Sequence, residues 1–564
     1  MIIPMTREEM DARGWKELDI ILVTGDSFVD HPSFGVAIIA RVLQAEGWRV
    51  GVISQPDWRS DRDISALGRP RLFFGVTSGN VDSMVANYTA SGKKRRSDDY
   101  TPGGQGGKRP DRAVIVYSNL IRRVFKDVKI VLGGIEASLR RFSHYDWWSG
   151  KIRKSILLDS KADLLVYGMG EKPILEIARR LDREEKLPID VRGTMGWSSP
   201  PQTGLELPSH EMVSSDKREY FRSVTLLYEE TDPVRGKRLF QLQDKRYVFQ
   251  NPPPIIKQDE LDSYYSLPFT RRVHPVCLDR GPVKALETVR NSITTHRGCY
   301  GQCNFCAITL HQGRIVVSRS AESIVQEVES LTQDSEFKGT VTDLGGPTAN
   351  MYGYECVLKL KRGSCKERRC LFPDVCASLK PDHSKYINLL EKVSRMPKVK
   401  HLFISSGIRY DLILSDEKAG MKFLDRLIDR HISGQLKIAP EHVSDRVLKM
   451  MGKPSREVLE KFLQEFSKRV GKRRRYVIGY FIAAHPGCEL DDMILLKEFV
   501  SREMGYSPEQ VQIFTPTPST ISTAMYYSGY DSPDGEKVFV ETSFSGRSKQ
   551  KLVIAHDRRF RKQT

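Results

Sequence analysis

Residues 295–309 read T-H-R-G-C-Y-G-Q-C-N-F-C-A-I-T, placing Cys299, Cys303 and Cys306 in the spacing C-x3-C-x2-C. Three thiolates on so short a loop can hold three corners of a cubane iron–sulfur cluster and leave its fourth iron without a protein ligand. A catalytic metal centre needs such an open position, whereas a purely structural site closes it. Gly298 and Gly301 let the loop wrap tightly, and Phe305 shields one side. A zinc loop lacking its fourth ligand, or a chance grouping of thiols, is the alternative.

Downstream of the loop the chain alternates strand and helix. Apolar runs at 292–295, 340–346, 401–407, 435–439, 477–484 and 511–515 read as strands. Amphipathic stretches at 320–331, 384–393, 419–431, 456–469 and 491–504 read as the helices between them. Six strands with crossover helices fit a partial (β/α)6 barrel, and barrel active sites lie at the carboxyl ends of the strands. Those ends carry D-L-G-G-P (343–347), S-S-G-I-R (405–409), P-E-H (440–442) and H-P-G (485–487). Any one of them also serves as an ordinary strand-to-loop turn; one barrel mouth would collect them all.

The N-terminal half is a second α/β region. Strand-like runs at 19–25, 49–54, 72–77, 129–132 and 164–167 alternate with helical patterns at 36–45, 113–125 and 173–181. This implies a doubly wound parallel sheet covered on both faces. Its strand ends present Gly25-Asp26, Asp30-His31-Pro32, Gly133-Gly134 and Gly168-Met169-Gly170. Asp146-Trp147-Trp148, near Arg140, Arg141, Lys151, Arg153 and Lys154, reads as an aromatic patch that packs between domains or stacks on a base. The expected organisation is an N-terminal α/β domain at 1–185, a proline-punctuated connecting region at 186–285, a barrel core at 286–530 with a cysteine-rich insertion at 354–378, and a basic tail at 531–564.

That insertion holds Cys356, Cys365, Cys370 and Cys376 among Lys and Arg residues. Four thiolates can close a zinc site or hold an auxiliary cluster as a second metal centre; free or redox-active thiols are the other reading. With seven of nine cysteines in two groups and no apolar N-terminal run, the chain reads as reduced and cytoplasmic, with no membrane partner. The formal charge of +18 favours a polyanion such as RNA. The sharpest basic runs are Lys93–Arg96 in a Gly/Pro-rich loop and Lys472–Arg475 before a buried strand.

The cysteine spacing, with an aromatic residue before the last cysteine, resembles the signature of the radical S-adenosylmethionine (SAM) superfamily. The resemblance implies a 4Fe-4S cluster on Cys299, Cys303 and Cys306 whose open iron is chelated by SAM. One electron then splits SAM into methionine and a 5′-deoxyadenosyl radical. Gly345 and Gly346 resemble the Gly-Gly-Glu element that binds the SAM amino group, with Pro347 in place of the acid. Ser406, Arg409 and Glu441 would complete the SAM site through hydroxyl, guanidinium and carboxylate groups. The N-terminal domain looks like the cobalamin-binding domains fused to such cores. It departs from their Asp-x-His-x-x-Gly pattern, because Val29 stands two places before His31 and Gly35 comes four after it. Cobalamin therefore stands as a third cofactor the sequence argues against without eliminating.

G-D-S-F-V-D-H-P-S-F-G (25–35), G-G-I-E-A-S-L-R-R (133–141), the cluster loop, D-L-G-G-P-T-A-N-M-Y (343–352), S-G-I-R-Y-D-L (406–412), L-K-I-A-P-E-H (436–442), Y-F-I-A-A-H-P-G (480–487) and T-A-M-Y-Y-S-G (523–529) are similar, in the same order, to the YgiQ-like family. The family implies a radical-SAM protein without an assigned substrate. The expected function is SAM cleavage for modification of RNA or protein, fed by an electron donor such as a flavodoxin or ferredoxin. The competing expectations are a non-catalytic zinc-containing nucleic-acid-binding protein and an iron–sulfur redox sensor.

Overall fold

Ile20–Thr24 (β1), sequence I-I-L-V-T, is buried at every residue, as a strand covered on both faces must be. In the computed structural model, which describes residues 2–184, 186–198, 203–506, 508 and 511–555, β1 lies inside a nine-stranded sheet. Val50–Ser54 (β2), Phe73–Thr77 (β3), Lys129–Leu132 (β4) and Leu164–Val166 (β5) run parallel to it in the order β2-β1-β3-β4-β5. This is the flavodoxin-like order, whose switch point falls between β1 and β3. Side chains alternate between two cores. Ile21, Val23, Phe74 and Val76 pack with Val114, Tyr117 and Ile121 of the helix Ala113–Val124. Ile20, Leu22, Val50 and Val52 pack with Ala37, Ala40 and Leu43 of the helix Gly35–Ala45, and with Ile174 and Ile177 of Glu171–Asp182.

The region 186–285 carries more structure than its prolines suggest. Thr194–Ser198 (β6) adds antiparallel to β5; Leu205–Glu206 (β7), Leu239–Gln243 (β8) and Arg246–Gln250 (β9) extend the sheet beyond it in the order β6-β9-β8-β7. Chain segments Met1–Glu219, Leu226–Ile256 and Ser263–Arg290 form this first unit; Tyr220–Thr225, Lys257–Asp262 and Asn291–Thr564 form the second.

The second unit is the open barrel. Ser292–Thr294 (β10) pairs parallel with Asp343–Gly345 (β12), while Thr340–Val341 (β11) pairs parallel with His401–Leu402 (β13). The second barrel strand bonds both neighbours: the Leu344 amide donates to the Phe403 carbonyl at 3.0 Å on one side, and the Gly345 carbonyl accepts from the Thr295 amide at 2.7 Å on the other. A parallel bridge from Ile408 to Ile438 continues the sheet to Gln435–Glu441 (β14), then Tyr476–Ala483 (β15) and Val511–Ile513 (β16), all parallel. Ile293, Leu344, Ile438, Phe481 and Ala483 from the strands share one core with Ile324 and Val328 of the helix Ala321–Thr332, and with Leu459 and Phe462 of the helix Arg456–Val470.

The basic C-terminal stretch contributes to this core. Phe544–Ala555 is helical; Gln550 accepts from the Ala484 amide at 2.8 Å and donates to the Cys488 carbonyl at 2.9 Å, and Ile554 is 2% exposed. Residues 556–564 of the expected tail lie outside the described residues.

Candidate active site at the barrel mouth

The cysteine loop leaves β10 through a short antiparallel pairing of His296–Arg297 with Val317–Ser318. Gly298 sits at φ +85°, and a Cβ there would lie 2.1 Å from the Ile315 carbonyl oxygen, so only glycine fits this close approach. Asn304 fastens the loop. Its amide and side chain donate to the Met451 and Met450 carbonyls at 2.9 and 2.8 Å, its carbonyl accepts from the Ser522 amide at 2.9 Å, and Arg369 donates to its Oδ1 at 2.7 Å. Nothing in the sequence pattern singles out Asn304 beyond its place between two cysteines.

N–H and O–H groups face the sulfurs. The Gly301 amide donates to Cys299 Sγ at 3.3 Å, the Thr348 hydroxyl lies 3.8 Å from it, and Arg409 Nη1 is 3.9 Å from Cys303 Sγ. A Cβ on Gly301 would stand 3.2 Å from Cys299 Sγ and 3.6 Å from Cys303 Sγ, so the backbone of Gly301 passes between the two sulfurs. Burial pushes the Cys299 thiol up, and that of Cys306 up to about 12. Such thiols become thiolates when a metal centre takes the place of the proton. Among the described residues no three His, Cys, Asp or Glu side chains converge as ligands of a single ion. A cubane makes a different demand, one thiolate at each of three irons.

The other residues expected at the site stand at successive strand ends. A Cβ on Gly345 would meet Ser406 Oγ at 2.6 Å, and one on Gly346 would meet three atoms of the His296 imidazole at 2.6–2.9 Å. Ser406 donates through its amide to Asp343 at 3.0 Å and through its hydroxyl to the same carboxylate. Burial holds the pKa of Asp343 up despite these bonds. The Arg409 guanidinium is turned onto Asp411, with Nε 2.8 Å from Oδ1, and a second nitrogen on the other oxygen. Burial opposes its charge, but Asp411 outweighs burial and raises its pKa. Arg409 is therefore a fixed cation beside Cys303, already paired, where the sequence suggested a group free for a ligand carboxylate.

Asn350 clamps the Arg409 backbone, accepting from its amide and donating to its carbonyl, both at 2.9 Å. Behind Asn350, His383 Nε2 lies 3.1 Å away, and its Nδ1 is 2.6 Å from Asp416. Glu441 ends β14 at φ +69°, beside a register shift between Ile438 and Glu441. Its buried carboxyl, raised in pKa by burial, lies 3.5 Å from Lys453 Nζ. Lys453 stands 5.8 Å over the Phe305 ring, and His485 meets that ring edge-on at 6.2 Å. Lys453 and His296 carry no recognisable sequence signal and were not among the expected residues.

The second cysteine group is spread across different environments. Cys356 is buried, Cys365 exposed, and Cys370 and Cys376 intermediate. Cys356 and Cys370 pack with Tyr300, Leu371 and Leu379, and Cys299 touches the same cluster. Burial pushes Cys370 up to about 11. For Cys376 the Ser378 amide and Arg368 outweigh burial and lower the pKa.

At the switch point of the first sheet, where a doubly wound domain would receive a ligand, the chain fills its own crevice. Arg109 reaches Asp26 at 2.7 Å, Asp98 at 3.1 Å and the Ser78 carbonyl at 3.0 Å, all buried. His31 is fully buried, with Nδ1 3.0 Å from the Ser33 amide and Nε2 2.9 Å from Arg271; burial, then Arg271, keeps its pKa well below the usual histidine range. Both ring nitrogens are engaged within the unit. These residues do not fit a histidine-ligated cobalamin. Beside the half-buried Trp147 and Trp148, Arg112 pairs with the buried Asp146, and Arg140 pairs with Asp82. Replacing Arg109 with leucine leaves Asp26 and Asp98 buried without their cation. It is expected to cost about 3–5 kcal/mol of unfolding free energy in a urea titration.

Residues 2–292 match the Radical SAM N-terminal family and residues 293–500 the Radical SAM superfamily. Among solved structures, the cobalamin-dependent SAM radical enzyme OxsB aligns at a TM-score of 0.50 with 12% identity, over 86% of this chain and 52% of that one. The methyltransferase TsrM from Kitasatospora setae aligns at 0.49 with 15% identity, over 89% and 73%. The parallel barrel and the superfamily match make this a radical-SAM protein, with a 4Fe-4S cluster and SAM as its cofactors. A UPF0313 protein of Thermotoga petrophila is 55% identical over 98% of both chains, and one of Fusobacterium nucleatum is 48% identical over 99% of this chain and all of the other. The chain belongs to the UPF0313, or YgiQ-like, family. Among the described residues no helix is long and apolar enough to cross a membrane.

Proposed function

We propose that this radical-SAM enzyme holds its 4Fe-4S cluster on Cys299, Cys303 and Cys306 and binds SAM against Gly345, Gly346, Ser406, Arg409 and Glu441. The observation that carries the reading is the seating of three half-buried cysteines on one glycine-turned loop at the carboxyl ends of the barrel strands, with the Gly301 amide, Thr348 and Arg409 beside the sulfurs. When bound, the cluster supplies the electron that splits SAM. The protein's own part is positioning. Asn304 fixes the loop, Asp411 and Asn350 fix Arg409, and Lys453 and His485 enclose Phe305. Hydrogen bonds to the sulfurs from Gly301 and Arg409 favour the reduced, more negative centre.

The substrate we assign is a polyanion, RNA first. The run Lys93–Arg96 is exposed, and the chain carries +18 formal charges. In the other basic run Arg473 and Arg475 are engaged by Asp429 and the Ile428 carbonyl, and in the loop run Arg95 donates to the Val85 and Tyr88 carbonyls, so the reading rests on the exposed Lys93, Lys94 and Arg96.

The test is an anaerobic preparation with iron and sulfide counted, and electron paramagnetic resonance of the reduced protein with and without SAM. A cubane signal that shifts with SAM, accompanied by 5′-deoxyadenosine, is the expected result. Stoichiometric zinc without a SAM response would establish the binding protein instead. A cluster signal indifferent to SAM would establish the redox sensor.

A further inference from the structure

The helix Val357–Arg362, sequence V-L-K-L-K-R, is folded inside out. Val357, Leu358 and Leu360 are 61%, 51% and 52% exposed, whereas Lys359 is buried. The Lys359 ammonium donates to the Arg314 carbonyl at 2.8 Å, pairs with Glu355 at 2.8 Å, and lies 4.7 Å over the Tyr300 ring. Single exposed apolar residues are ordinary, but three within four positions of one short helix mark a contact surface. Here the cation that would have solvated the outer face is spent fastening the helix to the cysteine loop. The helix itself continues into the exposed Lys361 and Arg362, and the chain then brings the exposed Lys366 and Arg368, with Glu367 the one acid between 357 and 368. Exposed apolar residues flanked by basic ones are complementary to a partner that presents apolar groups beside acidic ones.

The helix also starts beside the cluster loop. Its first flanking residue, Cys356, packs in one group with Tyr300, and Cys299 touches that group. Lys359 over the Tyr300 ring and Cys356 in the group that Cys299 touches thus fasten this helix to the cysteine loop.

We propose that the exposed side of Val357–Arg362 is the docking surface of an acidic one-electron donor protein of the flavodoxin or ferredoxin type; this rests on the cluster assignment above. In the step it serves, one electron passes from the reduced flavin or cluster of the donor to the oxidised 4Fe-4S centre. The donor is oxidised by one electron, the centre is reduced by one, and no bond is made or broken.

The test uses the full chain, reconstituted without oxygen, and a flavodoxin as probe. Binding of oxidised flavodoxin is measured directly, and 5′-deoxyadenosine formation is driven either by reduced flavodoxin or by dithionite. Lys361→Glu with Arg362→Glu, and separately Leu360→Ser, are each expected to weaken flavodoxin binding about tenfold and to raise its KM to match. The charge reversal also flattens the salt dependence, while iron content and the dithionite-driven rate stay unchanged. Equal losses with both reductants would make the helix a structural support and overturn the proposal. Unchanged flavodoxin binding would overturn it too, including when the same variants lose RNA binding or self-association instead. If wild-type chain forms no 5′-deoxyadenosine with dithionite, the cluster reading fails, and direct flavodoxin binding still decides the docking surface.

Discussion

Cys303→Ala is expected to remove both the cubane signal of the reduced protein and 5′-deoxyadenosine formation. Two thiolates cannot hold three corners of the cluster, and the loop offers no substitute, because the side chains of Asn304 and Gln302 lack the thiolate that iron–sulfur centres take. The loss should exceed the roughly 10–100-fold penalty that follows removal of a residue merely supporting a metal ligand. Cys299→Ala, Cys306→Ala and the triple variant should all look alike, since residues acting as one unit do not lose activity additively. Cys365→Ala is the control: its thiol is exposed, and the signal should survive its removal. Retention of the full signal and of SAM cleavage in Cys303→Ala would dismantle the assignment.

The six barrel strands were legible because each is an apolar run with its helix behind it, as in 435–439 against the observed Gln435–Glu441. The spacing of the three cysteines was legible because it lies within eight consecutive residues. The β6–β9 extension was hidden by Pro200–Pro201 and Pro252–Pro254, which interrupt the periodicity on either side of strands that pair at long range. The helix Phe544–Ala555 was read as part of a basic tail because Arg547 and Gln550, polar by type, are buried by hydrogen bonds to the Phe514, Ala484 and Cys488 backbones. Composition reports residue type, whereas burial of a polar group depends on a partner distant in sequence.

The same limit applies at the site. Gly345-Gly346 announced a close approach, and the sequence suggested that backbone approaches a ligand there. The structure adds a second tenant, because the His296 imidazole occupies the space beside Gly346. That makes a discriminating experiment out of a single methyl group. In Gly346→Ala the new Cβ must displace an imidazole whose Nδ1 lies 2.8 Å from the Thr295 hydroxyl and whose backbone pairs with Ser318. Overpacking of this kind costs about 1–3 kcal/mol, which corresponds to roughly 5–150-fold in SAM affinity if the strain falls on the binding-competent loop. The cluster signal without SAM should be retained, since Gly346 touches none of the three thiols. Burial lowers the His296 pKa to about 4, so the ring is neutral near pH 7 and His296→Ala removes volume without removing charge. The double variant Gly346→Ala with His296→Ala should therefore recover much of the lost SAM affinity, a coupling that adjacent residues show and distant ones do not. A double variant as impaired as the single one would mean that the methyl collides with SAM itself. A single variant with unchanged SAM affinity would remove Gly346 from the binding site.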